Sequence, residues 1–186
     1  DYPAERVRFM LADSHAPVLL TQVPLVDRIG DHDARVICLD TFDWTTGDDA
    51  NLKTEISPRT PAYAIYTSGS TGQPKGVLLQ QEALANLLQW QQSQPGLQEG
   101  ARTLQFASFS FDVSFQELFS TWQLGGTLIM IDEELRRDLP KLARFVADNQ
   151  VERLYLPFAA LQPLVECILA DGLTESLAVT DVIVAG

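Results

Sequence analysis

The sequence predicts an α/β protein with a mostly parallel sheet flanked by helices, and two patterns carry the prediction. From residue 61 onward, short apolar runs bounded by polar or glycine-containing turns alternate with segments whose apolar residues recur at helical spacing. This alternation is typical of parallel strands joined by helical connections. A weaker version of it in residues 1–60 predicts part of a preceding α/β lobe. With 186 residues, 46% of them hydrophobic, the chain can bury a substantial core.

The predicted elements follow in order along the chain. Strands are predicted at residues 18–21, 35–39, 62–67, 103–108, 127–131, 151–156 and 181–185. Apolar residues at helical spacing lie before and between them: Val7, Met10 and Leu11; Leu84, Leu87 and Leu88; Phe115, Leu118, Phe119 and Trp122; Leu142, Phe145 and Val146. Each helix is expected to lay its apolar stripe on the sheet.

Two prolines close together, Pro58 and Pro61, predict a connection between two regions. Proline disfavours helix interiors and central strands, and it also restricts the residue before it. We therefore expect residues 1–60 to be the C-terminal part of a first α/β lobe and residues 61–186 to be a second one. The chain stops directly after the strand pattern of residues 181–185, so we expect a fragment whose second lobe is truncated at its C-terminus.

Charge and composition exclude several function classes. The chain has 25 acidic and 13 basic residues, a net charge of −12 and no basic patch, so nucleic acid is not an expected partner. No apolar run approaches the roughly 20 residues that a membrane-spanning helix needs. The first residues do not resemble a signal peptide, so we expect a cytoplasmic protein with no membrane partner. Cys38, Cys167, His15 and His32 stand singly, which predicts neither a metal site nor a catalytic dyad.

The stretch at residues 66–76 reads Tyr-Thr-Ser-Gly-Ser-Thr-Gly-Gln-Pro-Lys-Gly and directly follows a predicted strand. Glycines let backbone N–H groups approach an anion, hydroxyls add donors and Lys75 adds positive charge, so the stretch is suited to bind a polyphosphate. Pro74 and Gly76 depart from the Walker pattern, which disfavours a kinase-like loop. An ordinary surface loop is the alternative, because clusters of Gly, Ser, Thr and Pro commonly form one.

A second candidate site begins where the strand predicted at residues 103–108 ends. Ser114 and Glu117 have the spacing of a capping box, which predicts that a helix begins at Ser114. Asp112 then lies outside the helix, at the carboxyl end of a strand, where open α/β sheets bind ligands. The alternative is that Asp112 simply caps the helix, as aspartate often does.

Both stretches resemble one superfamily. The string at residues 66–76 resembles the phosphate loop of the adenylate-forming enzymes, which include adenylation domains, acyl- and aryl-CoA synthetases and luciferases. By this resemblance the second lobe has the flavodoxin-like fold of that superfamily. The resemblance implies that six residues contact the β- and γ-phosphates of ATP: Ser68, Gly69, Ser70, Thr71, Gly72 and Lys75.

The second stretch resembles one branch of that superfamily more closely. Residues 111–114, Phe-Asp-Val-Ser, are similar to a motif of nonribosomal peptide synthetase adenylation domains whose aspartate pairs with the α-amino group of the substrate. The resemblance implies six pocket residues: Asp112, Val113, Gln116, Tyr155, Ile183 and Ala185. Their order resembles pockets that select proline or a substituted proline. For Val113, Ile183 and Ala185, plain core packing is the alternative.

The activity implied by the resemblance is formation of aminoacyl-AMP from ATP and an amino acid with Mg²⁺, followed by transfer to the phosphopantetheine of a peptidyl carrier protein. The remainder of the adenylation domain is then a partner, because the catalytic lysine belongs to later segments. No catalytic residue is assigned in this chain, and the fragment alone is expected to be inactive. Two alternatives stay open: an acyl- or aryl-CoA synthetase, and a noncatalytic nucleotide-binding or scaffold module.

Overall fold

A computed structural model of the protein describes residues 2–68 and 73–184. The chain divides into two compact units, Asp1–Leu79 and Gln80–Gly186. Their boundary falls later in the chain than the connection predicted near residue 60. The assignment of the chain to two lobes of a larger fold stays a prediction.

The first unit contains two separate pairs of strands. β1 (Val18–Thr21) and β2 (Arg35–Cys38) are parallel, with Val18 opposite Arg35. Helix α1 (Ala4–Ser14) precedes this pair, and helix α2 (Val23–Ile29) connects its strands. β3 (Pro61–Ser68) and β4 (Pro74–Gln80) form the second pair. The strand predicted at residues 18–21 is therefore present with the expected bounds.

The second unit is built on a four-stranded sheet with the strand order β6-β5-β7-β8. Its strands are β5 (Arg102–Gln105), β6 (Thr127–Met130), β7 (Arg153–Leu156) and β8 (Asp181–Val184). Every neighbouring pair in this sheet is parallel. The predicted fold class, α/β with a mostly parallel sheet flanked by helices, is confirmed.

In the second unit one helix precedes the sheet and the others connect its strands. They are α3 (Gln81–Gln92), α4 (Val113–Gln123), α5 (Glu133–Arg137), α6 (Leu139–Asp148) and α7 (Phe158–Ala170), followed by a short 3₁₀ helix at Thr174–Ser176. In the core, α6 and α7 pack against β5 and β7. The most deeply buried residues there include Leu104, Leu142, Val146, Leu156 and Leu164. Within the described residues no helix combines the length and the apolar character that crossing a bilayer requires.

The largest departures from the predicted strands are at β5 and β4, while the bounds of the other strands differ by two residues or fewer. β5 ends at Gln105 rather than at residue 108, because the backbone N–H groups of Phe106 and Ala107 donate to the side chain of Glu117. Strand β4 was not predicted at all. Its central residues Val77 and Leu78 are both more than half exposed, so it lacks the buried face that produces a recognisable strand pattern.

The predicted capping box is wrong. Helix α4 begins at Val113, one residue earlier than expected, and its N-cap residue is Asp112, whose side chain makes no capping hydrogen bond. The Ser114 hydroxyl donates to the carbonyl oxygen of Phe111 at 2.6 Å. Glu117 does not reach back to the helix start, since its carboxylate accepts hydrogen bonds from the segment after β5. The Asp112 carboxylate is thus left without a capping role.

Candidate functional site

The second unit contains a cavity of about 660 Å³ at the carboxyl ends of β5 and β7. Open α/β sheets bind ligands at this edge. The lining comes from the segment after β5, the start of α4, the short helix α5 and the end of β7: Phe106, Ala107, Ser108, Phe111, Asp112, Val113, Arg136, Tyr155 and Pro157. Most of this wall is apolar, and its two charged side chains have opposite signs.

Three of the residues predicted to bind substrate line this one cavity. Asp112 and Val113 come from the start of α4, and Tyr155 comes from β7. The Asp112 side chain is exposed, so its charge is screened by water when the cavity holds no ligand. Residues far apart in sequence are therefore brought to one place by the parallel order of the strands.

Gln116 and Ile183 lie beside the cavity-lining residues rather than among them. The Gln116 Nε2 donates to the Oε1 of Gln91 on α3 at 2.9 Å. Ile183 of β8 is half-buried and pairs in register with Tyr155. Ala185 lies outside the described residues. Gln116 is thus connected to the cavity-lining Tyr155 indirectly, through hydrogen bonds to Gln91.

The Tyr155 hydroxyl is held by two buried side chains. It accepts a hydrogen bond from the Gln91 Nε2 and lies 2.8 Å from the Ser120 Oγ. All three residues are almost completely buried. Burial raises the pKa of Tyr155, while the hydrogen bonds with Ser120 and Gln91 act in the opposite direction. The phenol is therefore a neutral group whose orientation is fixed by two residues outside the cavity lining.

Glu117 is a buried carboxylate directly behind the cavity wall. Its Oε1 accepts from the backbone N–H groups of Phe106 and Ala107 at 3.0 and 2.9 Å, and its Oε2 accepts from the Gln105 Nε2 at 3.0 Å. Desolvation by burial raises the pKa of Glu117 to about 7, although these donors and the charge of Arg136 act to lower it. Glu117 thereby fixes the two residues that form one side of the cavity.

The predicted phosphate loop is described only at its two ends. Ser68 is the last residue of β3 and Lys75 is the second residue of β4, and both are exposed. Gly69, Ser70, Thr71 and Gly72 lie outside the described residues. The two strands are neighbours in one sheet, so Ser68 and Lys75 flank the same short connection.

The strands beside this loop are packed on α1 through Tyr66. Its hydroxyl donates to the Asp13 Oδ2 at 2.7 Å, and its ring stands edge-on to Phe9 with 6.5 Å between the ring centroids. Gly76 faces the same ring, and a Cβ at this position would lie 3.1 Å from the Tyr66 Cζ. A glycine directly after Lys75 thus lets β4 approach the tyrosine closely.

Comparison with known proteins identifies the family. A family model described as AMP-binding enzyme matches residues 1–180. The chain belongs to the AMP-binding enzyme family. The resemblance drawn from the loop and from the motif at residues 111–114 is confirmed.

The relatives of this AMP-binding chain include large peptide synthetases. It is 37% identical over 167 residues to tyrocidine synthase 2 of Brevibacillus parabrevis, and 35% identical over 174 residues to surfactin synthase subunit 2 of Bacillus subtilis (strain 168). These matches cover 87% and 89% of the chain but only 4% and 5% of the relatives. The chain thus spans a small part of the proteins that it matches.

Solved structures of a nonribosomal peptide synthetase share the fold. The crystal structure of FmoA3 matches with a TM-score of 0.83 and 28% identity, over 95% of this chain and 19% of that one. A form of FmoA3 bound to AMPPNP matches with a TM-score of 0.82. A third form, bound to α-methyl-L-serine-AMP, has the same TM-score of 0.82.

Sequence reasoning missed the residues that support the cavity of this AMP-binding chain from behind. Gln91 and Ser120 were assigned no role, and Glu117 was given only a capping role. Ser114, Glu117 and Thr121 recur on one buried face of α4 at helical spacing, together with Ser120. A polar stripe of this kind looks like a solvent-facing helix surface in a sequence, so nothing in the pattern indicates that it is buried.

Proposed function

We propose that this chain forms the amino-acid pocket and the phosphate loop of an enzyme that adenylates an amino acid. The carboxylate of the amino acid attacks the α-phosphate of ATP, which gives aminoacyl-AMP and releases pyrophosphate. The observation that supports this most strongly is the single cavity that Asp112, Val113 and Tyr155 line together. The sequence alone predicts these three residues as pocket residues, by resemblance to an amino-acid pocket.

Asp112 is the group that pairs with the substrate ammonium. Two unit charges 4 Å apart attract with about 4 kcal/mol at an effective dielectric of 20, against about 1 kcal/mol in water. A ligand that fills the cavity displaces water from the exposed carboxylate. The attraction between the carboxylate and the substrate ammonium then approaches the larger of these two values. Arg136 lines the same wall, and its guanidinium is ion-paired with Glu133 of the same helix, so Asp112 is the charged group of the lining that is assigned to the substrate.

The substrate side chain in this proposal is compact and apolar. Phe106, Phe111, Val113 and Pro157 give the cavity an apolar wall. Proline or a substituted proline fits this wall, and its ring nitrogen still carries the charge that Asp112 recognises. The order of pocket residues, including Gln116, Ile183 and Ala185, favours the same substrate by resemblance.

ATP is bound in this proposal by the loop at residues 68–75. Backbone N–H groups of Gly69 and Gly72, the hydroxyls of Ser68, Ser70 and Thr71, and the ammonium of Lys75 would surround the departing pyrophosphate. Mg²⁺ bound to ATP is usually held by the phosphates, waters and one or two carboxylates. Among the described residues no group of three or more His, Cys, Asp and Glu side chains could hold a metal ion. We propose that the ion enters with the nucleotide.

The product is proposed to pass to the phosphopantetheine thiol of a peptidyl carrier protein. The remainder of the adenylation domain supplies the catalytic lysine, so the chain by itself is expected to show negligible exchange. We place the reaction in the cytoplasm, where ATP and free amino acids are available. The two compact units would then be parts of neighbouring α/β lobes of the complete domain.

The test is a substrate screen on the enzyme that carries this chain. Exchange of labelled pyrophosphate into ATP is measured with each amino acid in turn, and proline or a substituted proline should give the highest rate. A Thr71→Ala, Lys75→Ala double variant should lower this exchange by about 10²-fold or more, because it removes donors to the departing charge. Lys53→Ala, which removes an exposed lysine from the same unit, is the control and should leave the rate unchanged.

Three outcomes would contradict the proposal. Exchange supported by simple carboxylic acids but by no amino acid would indicate an acyl- or aryl-CoA synthetase. ATP binding without exchange would indicate a noncatalytic nucleotide-binding module. Absence of both would indicate a scaffold.

A further inference from the structure

Gln91 of α3 is hydrogen-bonded to two residues of the proposed pocket at once. Its Oε1 accepts from the Gln116 Nε2 on α4 at 2.9 Å, and its Nε2 donates to the Tyr155 hydroxyl on β7. Only 3% of Gln91 is exposed. One buried amide therefore links three elements of the second unit behind the cavity.

Gln116, Gln91, Tyr155 and Ser120 form one continuous hydrogen-bonded group. The Tyr155 oxygen accepts from the Gln91 amide group and also lies 2.8 Å from the Ser120 Oγ, where either hydroxyl can be the donor. The Gln91 carbonyl is correspondingly turned toward Gln116. Each of these side chains is oriented by the hydrogen bond to its neighbour in the group.

Gln116 is on the same helix as one of the residues that line the cavity. It stands three residues after the cavity-lining Val113 on the same helix, so the two side chains occupy the same face of α4. A primary amide that loses its buried partner is costly to leave unpaired. Loss of the Gln91 carbonyl therefore leaves the Gln116 amide to find a new partner and a new orientation.

We propose that Gln91 is a specificity-determining positioning residue of the amino-acid pocket. It fixes the side chain of Tyr155, which lines the cavity, and the orientation of the Gln116 amide, which is predicted to belong to the pocket. These two side chains are thereby held in the arrangement that selects an amino acid with a compact apolar side chain. This inference rests on the proposed function and adds to it a residue that does not itself touch the substrate.

The experiment compares Gln91→Leu with Gln92→Leu in the enzyme that carries this chain. Gln92 is a matched control, because it is on the same helix and also makes an amide hydrogen bond to α4, at 3.1 Å to Gln123, but on the exposed surface. The readout is pyrophosphate exchange with the preferred amino acid and with larger or polar ones, together with the KM for ATP. Gln91→Met serves as a second variant of similar volume.

Selectivity among amino acids should change in the Gln91 variants. Both should lower the ratio of kcat/KM for the preferred amino acid over a larger or polar competitor by about tenfold or more. The KM for the preferred amino acid should rise, while the KM for ATP stays the same. Gln92→Leu should match the wild type. In a Tyr155→Phe background the effect of Gln91→Leu should shrink, because the two residues act through one hydrogen bond.

Different results overturn different statements. A wild-type enzyme without amino-acid-dependent exchange would overturn the proposed function and this inference with it. If the wild type is active and the Gln91 variants keep the wild-type selectivity, only the inference is overturned. Loss of folding in both Gln91 variants, with Gln92→Leu folded, would also overturn it, because Gln91 would then be a structural support alone.

Discussion

The backbone N–H of Ala107 donates to both carboxylate oxygens of Glu117, at 2.9 Å to Oε1 and 3.2 Å to Oε2. Ala107 lines the cavity, and Glu117 is completely buried on α4 behind it. The cavity wall is therefore fastened to the helix that also carries Asp112 and Val113. A titratable group thus lies where its charge affects both stability and pocket shape.

Glu117 should make the stability of the chain depend on pH. Burial raises its pKa in the folded state to about 7, against an ordinary value of 4.5. Between these values the folded state binds more protons than the unfolded one, so the free energy of unfolding falls as pH rises. The shifted pKa of Glu117 thus contributes about 3 kcal/mol to the free energy of unfolding. This contribution is fully present below about pH 4.5 and is lost above about pH 7.

Urea unfolding at pH 5, 6, 7 and 8 measures this effect. Because other carboxylates also titrate, the relevant quantity is the difference between the wild type and Glu117→Gln, which has no charge to bury. That difference should shift in favour of Glu117→Gln as pH rises. A difference that stays constant from pH 5 to pH 8 would refute the assignment.

Gly126 should tolerate no side chain. A Cβ at this position would overlap the carbonyl oxygen of Ala101 and lie 3.0 Å from the Thr121 Cγ2. Gly126→Ala should therefore lower the free energy of unfolding by about 1–3 kcal/mol. Gly47→Ala is the control, because nothing lies within 4 Å of its added Cβ. Equal midpoints of urea unfolding for the two variants would contradict the packing described here.

Two ion pairs of the second unit should differ strongly in strength. The Arg153 Nη2 lies 3.3 Å from the Asp181 Oδ2, and the Arg153 side chain is fully buried. Removing its partner leaves a buried charge uncompensated, so Asp181→Ala should cost about 3 kcal/mol. The Arg144–Asp171 pair is shorter, at 3.0 Å, but Arg144 is largely exposed.

Asp171→Ala should accordingly cost less than about 1 kcal/mol. Thermal or urea unfolding of the two alanine variants compares them directly. A larger loss for Asp171→Ala than for Asp181→Ala would show that burial does not decide the ranking.

The Tyr66 phenol should lose its proton at an unusually high pH. Desolvation by burial, followed by the hydrogen bond to Asp13 and its negative charge, raises the pKa of Tyr66 to about 12. Asp13→Asn should bring that pKa down without restoring the ordinary value, because the burial remains. Absorbance titration of the phenolates, with Tyr66→Phe to assign the late transition, measures it. An unchanged late transition in Asp13→Asn would contradict the contact between α1 and β3.

The strands of the parallel sheet could be predicted because each is a short apolar run with a clear boundary. The strand expected at residues 103–108 was too long, because a side chain from α4 takes the hydrogen bonds that a neighbouring strand would have taken. β4 was missed since its glycine, proline and exposed apolar residues have no periodic burial. The local sequence is enough to predict that these strands and helices exist. It does not predict where β5 ends, because that end is set by a glutamate on the following helix.

For the candidate site, the residues in contact with the cavity were more predictable than their supports. Asp112, Val113 and Tyr155 stand in motifs that resemble a known pocket, and all three line the cavity. Gln91 carries no such signal, because a glutamine in a run of glutamines on a helix is typical of an exposed surface. Its burial follows only from the packing of α3, α4 and β7 in three dimensions.

In the proposed function, the Asp112 carboxylate recognises the ammonium group of an amino acid in the cavity of the second unit. The decisive measurement compares kcat/KM for the preferred amino acid with kcat/KM for the acid that has the same side chain and no amine. It is made in the enzyme that carries this chain, in its Asp112→Ala variant and in Asp148→Ala, which removes an exposed carboxylate of the same unit.

The wild type and Asp148→Ala should prefer the amino acid by about 10²-fold or more, and Asp112→Ala should lose most of this preference while its KM for ATP is unchanged. An Asp112→Ala enzyme that still prefers the amino acid as strongly as the wild type would contradict this role of Asp112.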